Sequence, residues 1–201
     1  MKLRYSPASP FARKVLVVAQ EIGLGGAIER IPTDAWAADT DLPHDNPLCK
    51  VPALITDEGG HLYDSPVICE YLDSLHGGAK LFPPAGEARW TALRRQALAD
   101  GIMDAALVCR VETTARPAEY RWTAWLDRQR NAITRAVDAF ENETGSFSGF
   151  FSIGEIALVC ALGYLDFRLP DLDWRQGHPS LATWYAAQES RPSVAETKPN
   201  G

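Results

Sequence analysis

Hydrophobic and polar positions change their rhythm several times along the chain. Residues 2–5 form a short strand-like run. From Pro10 onward Phe11, Val15, Val18, Ala19 and Ile22 recur at the spacing of one helix face, and Gly23 with Gly25-Gly26 ends that helix. Ile28 and Ile31 predict a second strand, closed by Pro32. Residues 35–46 are polar and irregular, with room for one short helix. Residues 51–55 read as a third strand entered through a proline, and the turn Asp57-Glu58-Gly59-Gly60 leads into a short fourth strand at 61–63. Ser65-Pro66 then opens a helix with Ile68, Leu72 and Leu75 on one face, stopping near Gly77-Gly78.

This order, β-α-β-(α)-β-β-α, implies one parallel βαβ unit followed by a hairpin and a closing helix, hence a small mixed sheet. Pro83-Pro84 and Gly86 mark residues 79–87 as a linker. Beyond it the pattern is helical. Residues 88–114 carry Leu93, Ala97, Ile102, Ala106 and Cys109 toward one face. Residues 118–143 form a second long segment with Trp122, Trp125, Leu126, Ile133, Val137 and Phe140. A glycine-containing aromatic loop follows at 145–151. Ser152-Ile153-Gly154-Glu155 has capping-box spacing ahead of the most apolar helix, 156–165. A shorter helix at 179–189 and an extended tail from Arg191 complete the reading.

Composition narrows the classes. Of 201 residues, 46% are apolar and 23% charged, ordinary for a globular chain that can hold two small domains. The net charge of −6 and the lack of a basic stretch argue against a nucleic-acid partner. No apolar run reaches the length of a membrane span, and the N-terminal residues lack a signal-peptide core. The four cysteines, at 49, 69, 109 and 160, form no Cys-x-x-Cys pair, and the four histidines form no ligand pattern. Free thiols, no metal and a cytoplasmic location are the expectations.

The sharpest chemical signal lies at Ser9-Pro10-Phe11. Ser9 falls where a helix begins, and Pro10 occupies the first helical position, where its missing N–H costs nothing. A hydroxyl there stands beside unpaired amides at the positive end of a helix dipole, a place that suits a thiolate. Simple helix capping is the competing use, and the two are compatible.

Four separated segments carry a family resemblance: Ser9-Pro10-Phe11-x-Arg13-Lys14-Val15, Asn46-Pro47-x-x-Lys50-Val51-Pro52, Asp64-Ser65-Pro66 and Ser152-x-x-Glu155-Ile156-Ala157. In this order the chain resembles the cytosolic glutathione transferase superfamily over essentially its whole length, most closely its serine-type bacterial members. The resemblance implies a thioredoxin-like α/β domain over residues 1–78 that binds glutathione. It implies an all-α helical bundle over 88–201 that contributes the electrophile site. Glutathione would be the co-substrate and a small apolar electrophile its partner.

The resemblance also distributes roles. Ser9 would donate a hydrogen bond to the glutathione sulfur and favour the thiolate. Phe11, Lys50, Val51, Pro52, Asp64 and Ser65 would form the binding site. Pro52 is expected to be cis and to turn the Val51 backbone toward the cysteinyl unit of the ligand. Ser65 and the helix-start amides would hold the γ-glutamyl carboxylate, Asp64 its amino group, and Lys50 the glycyl carboxylate. Aspartate at 64 stands where relatives more often carry glutamate, and Glu155 where they carry aspartate. Tyr5 and Ser6 are competitors for the sulfur, and Tyr5 reads better as core or pocket wall. Asp100 is the better of the Asp100/Asp104 pair for a contact with ligand or partner subunit. A glutathione-dependent peroxidase or disulfide reductase, and a non-catalytic glutathione-binding protein, remain alternatives. A homodimer is expected, covering residues 89–110 and the helix that begins at Ser65.

Overall fold

A computed structural model describes residues 1–147 and 149–200. It divides into two compact units: residues 1–89 joined by the tail from Pro192, and residues 90–191.

The first unit is built on four strands, β1 (Lys2–Tyr5), β2 (Glu29–Pro32), β3 (Ala53–Ile55) and β4 (His61–Leu62), in the order β2-β1-β3-β4. β1 and β2 run parallel, joined by helix α1 (Pro10–Glu21), while β3 is antiparallel to both β1 and β4. Helix α2 (Ser65–Ser74) packs against α1 and reaches β3. Leu3, Val15, Leu54, Ile68 and Leu72 are fully buried at this core. The strand-helix order is the one read from the sequence, with a 3-10 turn at Leu42–His44 in the irregular stretch. Leu75 departs from it: it caps the end of α2 and is exposed, so the buried face of that helix rests on Ile68, Cys69 and Leu72.

The linker is pinned by one buried carboxylate. Asp73 accepts from the backbone amides of Leu81 at 2.9 Å and Phe82 at 3.1 Å, and pairs with His76 at 2.9 Å. Those bonds seat Leu81 and Phe82 in the core.

The second unit takes its helices from α3 (Gly86–Thr114), whose first turn belongs to the first unit, then α4 (Thr123–Glu143), α5 (Ile153–Arg168) and α6 (Pro179–Gln188). α5 is buried along nearly its whole length, as an all-round apolar helix must be. It is longer than the expected 156–165. Its capping box forms as read: Glu155 accepts from the Ser152 amide at 3.0 Å, and Ser152 accepts from the Gly154 amide at 3.2 Å. Gly154 is required by packing, because a Cβ there would meet Arg95 Cβ at 2.7 Å and the Ala92 carbonyl at 3.0 Å.

Three expectations in the helical region need correction. The buried stripe of α3 runs through Ala92, Arg95, Gln96, Ala99, Ile102, Met103, Ala106 and Cys109, whereas Leu93 is only half-buried and Ala97 is exposed. Polar residues share that face: Arg95 is paired, donating to Glu155 at 2.7 Å, Glu143 at 3.2 Å and Ser146 at 2.6 Å with its guanidinium 4.7 Å from the Phe147 ring centre, whereas Gln96 Nε2 is buried without a hydrogen-bond partner among the described residues. The segment 118–143 breaks into a 3-10 turn at Ala118–Tyr120 and α4, with Trp122 exposed just ahead of the helix. The tail is not extended. It forms α7 (Pro192–Ala195) and belongs with the first unit, so the helical unit ends at Arg191. The expected loop at 145–151 begins with a 3-10 turn at Thr144–Ser146, and its Ser148 lies outside the described residues.

Candidate active site

Strand directions place three loops at one end of the sheet, along the strand direction. The β1 chain leaves at Tyr5 and leads to Ser9. Ala53 of β3 pairs with Arg4, so the preceding Val51-Pro52 lies at that same end. β4 runs antiparallel to β3, with Leu62 opposite Leu54, so Asp64-Ser65 emerges there too. Both α1 and α2 therefore begin here; in α1 Pro10 has no N–H and the Ala12 amide is taken by Ser9, which leaves the Phe11 amide to offer an anion.

Ser9 is the N-cap of α1. Its backbone is extended (φ −81°, ψ 119°), its hydroxyl accepts from the Ala12 amide at 3.2 Å, and Pro10 follows at the first helical position. A hydroxyl that accepts one bond keeps its own proton to donate. The loop before it is held by the Ser9 amide on the Ser6 carbonyl at 3.0 Å. Capping therefore leaves the Ser9 proton available for donation. Phe11 is half-buried in the first turn.

The Val51–Pro52 peptide is cis, and Pro52 is buried. The ladder with β1 starts only at Ala53, so no strand pairing uses the half-buried Val51. Asn46 shapes the approach. It is 2% exposed, donates through Nδ2 to the Lys50 carbonyl at 2.8 Å, and accepts at Oδ1 from the Leu48 amide at 3.0 Å. Its neighbour Asp45 accepts from Arg4 of β1 at 2.7 Å, fastening the loop to the sheet. Lys50 itself projects into solvent.

Asp64 precedes α2 as its N-cap residue, is exposed, and makes no side-chain capping bond. The Tyr63–Asp64 peptide is also cis. Ser65 is 1% exposed at the first helical position. An uncommitted carboxylate next to a buried hydroxyl and free amides can receive an ammonium and a carboxylate from one ligand.

Arg13 sits one turn beyond Ser9 and serves the structure. It donates through Nη2 to the Val194 carbonyl at 3.1 Å and through Nε to Thr197 at 3.4 Å, tying the tail to α1. Its Nη1 is buried without a partner. Tyr5, Ser6, Ser9 and Arg13 line a polar cavity of about 100 Å3 with Glu196 and Lys198 of the tail, so Tyr5 is a pocket wall. Asp100 is half-buried and Asp104 exposed on α3.

Sequence reasoning assigned no role to Asn46, Asp73 or Arg95. Asn46 belongs to the Asn46-Pro47-x-x-Lys50 segment, and its place four residues before Lys50 is the sequence signal for it. Arg95 had none, because its partners lie 48 to 60 residues away.

The chain resembles known proteins along essentially its whole length. The profile of the glutathione S-transferase N-terminal domain matches residues 8–75, and that of the glutathione S-transferase C-terminal domain matches residues 123–187. An uncharacterized GST-like protein of Escherichia coli K12, YibF, is 37% identical over 99% of this chain and 98% of its own. A glutathione transferase family member from Pseudomonas fluorescens Pf-5, solved with bound glutathione, superposes with a TM-score of 0.95 at 47% identity, covering 100% of this chain and 99% of that one. A structure from the same organism with bound S-(propanoic acid)-glutathione gives a TM-score of 0.92 at 45% identity, with both chains fully covered.

Proposed function

The chain belongs to the glutathione S-transferase family, and from that premise we propose that it binds glutathione at this end of the sheet and transfers its sulfur to a small electrophile, with Ser9 as the thiolate's hydrogen-bond donor. The observation that carries the reading is topological: the Ser9 loop, the cis-Pro52 loop and the start of α2 lie at one end of one sheet. The glutathione and glutathione conjugate bound by the Pseudomonas relatives support it.

In this reading the ligand lies across that end as an added strand. The free Val51 backbone pairs with the cysteinyl unit. Ser65 and the first amides of α2 hold the γ-glutamyl carboxylate, and Asp64 accepts from the adjoining ammonium. Lys50 faces the glycyl carboxylate, and Phe11 and Pro52 form apolar walls. A free thiol has a pKa near ~8.5, so most of it is protonated at neutral pH. The Ser9 O–H and the α1 N-terminus stabilise the anion and raise the thiolate fraction. The thiolate then attacks an electrophilic carbon. A sulfur–carbon bond forms, and the electron pair leaves with a halide or rests on a carbanion that takes up a proton.

The thiolate comes from glutathione and Ser9 is no nucleophile, so a protein mixed disulfide has no place in the cycle. The setting is the reducing cytoplasm, where the four cysteines, none of them in a disulfide, persist as thiols. The working assembly is a homodimer, tested by light scattering: twice the chain's 22.1 kDa supports it and the single mass excludes it.

The test of the function is consumption of glutathione by three substrate classes in parallel. Saturable binding by calorimetry, with conjugate formed from an aryl halide or an activated alkene, is the expected result. Consumption only with hydroperoxides or mixed disulfides would assign the site to the peroxidase or reductase reading. Failure to saturate at several-millimolar glutathione, roughly the weak limit of useful affinity, would remove glutathione altogether.

A further inference from the structure

We propose that the cavity beneath the C-terminal tail of the first unit binds a small oxyanion of the size and charge of inorganic phosphate, held beside the buried cation Arg13. The site is made only of residues 1–89 and the tail from Pro192, and it does not depend on the glutathione reading.

Arg13 sets the requirement. It is 3% exposed, and a guanidinium stays charged at any pH the fold meets. Its Nη2 donates to the Val194 carbonyl and its Nε to the Thr197 hydroxyl, both uncharged acceptors. Nη1 is buried without a partner, and among the described residues no carboxylate pairs with Arg13. A buried charge lacking its counter-charge is costly, and an anion beside it offsets that cost.

The cavity that Arg13 lines has room for such an ion. At about 100 Å3 it is larger than the ~30 Å3 share of one water and smaller than the ~300 Å3 at which pockets for larger organic ligands begin. Arg30 and Lys198 stand exposed in its lining, so three cations face one carboxylate, Glu196. Glu196 accepts from Gln20 Nε2 at 3.4 Å, and a carboxylate with acceptor capacity left can take the proton of hydrogen phosphate. Tyr5 and Ser6 bring hydroxyls. The Ser6 oxygen accepts from the Ala8 amide at 3.4 Å and keeps its proton to donate. The place differs from the proposed glutathione site. Arg30 belongs to β2, which flanks β1 on the side opposite β3. Val51, Pro52, Asp64 and Ser65 adjoin β3 and β4 and take no part in the lining, so Ser9 alone is common to both sites.

The probe is inorganic phosphate, titrated into the full chain at constant ionic strength with chloride as the balancing ion. Backbone amides are followed by NMR. We expect saturation below about 10 mM, with the largest shifts at Ser6, Arg13 and Thr197. Arg13→Gln should weaken phosphate about tenfold, and Arg30→Gln, at the exposed mouth, about threefold with the fold intact. Phosphate should still saturate the site when glutathione is present in excess. No saturation by about 10 mM, equal binding by parent and a folded Arg13→Gln, or competitive displacement by glutathione would each overturn the proposal. Should Arg13→Gln fail to fold, equal binding by parent and Arg30→Gln overturns it instead.

Discussion

The side-chain amide of Asn46 donates to the carbonyl of Lys50 at 2.8 Å, directly before the segment that enters the sheet through cis Pro52. With the Leu48 amide on its other end, Asn46 holds the loop from inside. Asn46→Ala would remove the partner of the part-buried Lys50 carbonyl and Leu48 amide, at a cost of about 1 kcal/mol. We predict a lower melting temperature and a several-fold higher glutathione Kd, because Val51 would no longer be preset. Calorimetry with glutathione checks this. Unchanged affinity in a destabilised variant would confine Asn46 to folding.

Asp64 tests the far end of the ligand. Its carboxylate caps nothing, so removing it should leave α2 intact. Asp64→Ala should raise the glutathione Kd roughly tenfold, the usual worth of a lost charged hydrogen bond. Turnover at saturating glutathione should change much less, because the lost contact is remote from the sulfur. Steady-state kinetics separate the two effects. A fall in saturated turnover with unchanged KM would move Asp64 into the chemistry.

Arg95 supports the helical unit by joining α3 to α5 and to the end of α4. Arg95→Ala would strand Glu155 in the core, a loss on the order of 3–5 kcal/mol for a broken buried pair. Urea unfolding followed by circular dichroism measures it, and a loss under about 1 kcal/mol would contradict the assignment.

The neighbouring Glu143 should give this unit part of its acid sensitivity. Arg94 foremost, then Arg95, hold its carboxyl below the ordinary value against an opposing cost of desolvation. A carboxyl depressed in the folded state stabilises the protein above its unfolded pKa, about 4.3, and the benefit is lost as pH falls through the folded value. The stability gap between parent and Glu143→Gln should therefore be widest near neutrality and narrow below about pH 4. A gap independent of pH would exclude this linkage.

What the sequence disclosed was local. Ser9 ahead of Pro10, and Ser152 with Glu155, announce themselves because a side chain and the backbone it caps lie within three residues. The succession of strands and helices along the chain followed from short apolar runs and proline entries. What stayed hidden depends on distant partners. Arg95 occupies a core position because Glu143 and Glu155 return to it from two other helices. That return shifts the buried stripe of α3 away from Leu93 and Ala97. The tail looks featureless by composition, yet Arg13 captures Val194 and Thr197 from more than 180 residues away. Trp122 counts as apolar in any periodicity, but a bond from its backbone to Glu112 holds it at the surface.

The central claim is that Ser9 stabilises the thiolate of bound glutathione. The direct measurement is an ultraviolet titration of the thiolate in the complex, for the parent and for Ser9→Ala. Alanine removes the donor and also the cap on the Ala12 amide, so glutathione affinity and thermal stability are recorded alongside. The parent complex should titrate well below the free thiol's ~8.5, and the Ser9→Ala complex, still binding glutathione, should return toward that value. An identical titration in the two proteins would contradict the account and hand thiolate activation to another donor, with Tyr5 and Ser6 first in line.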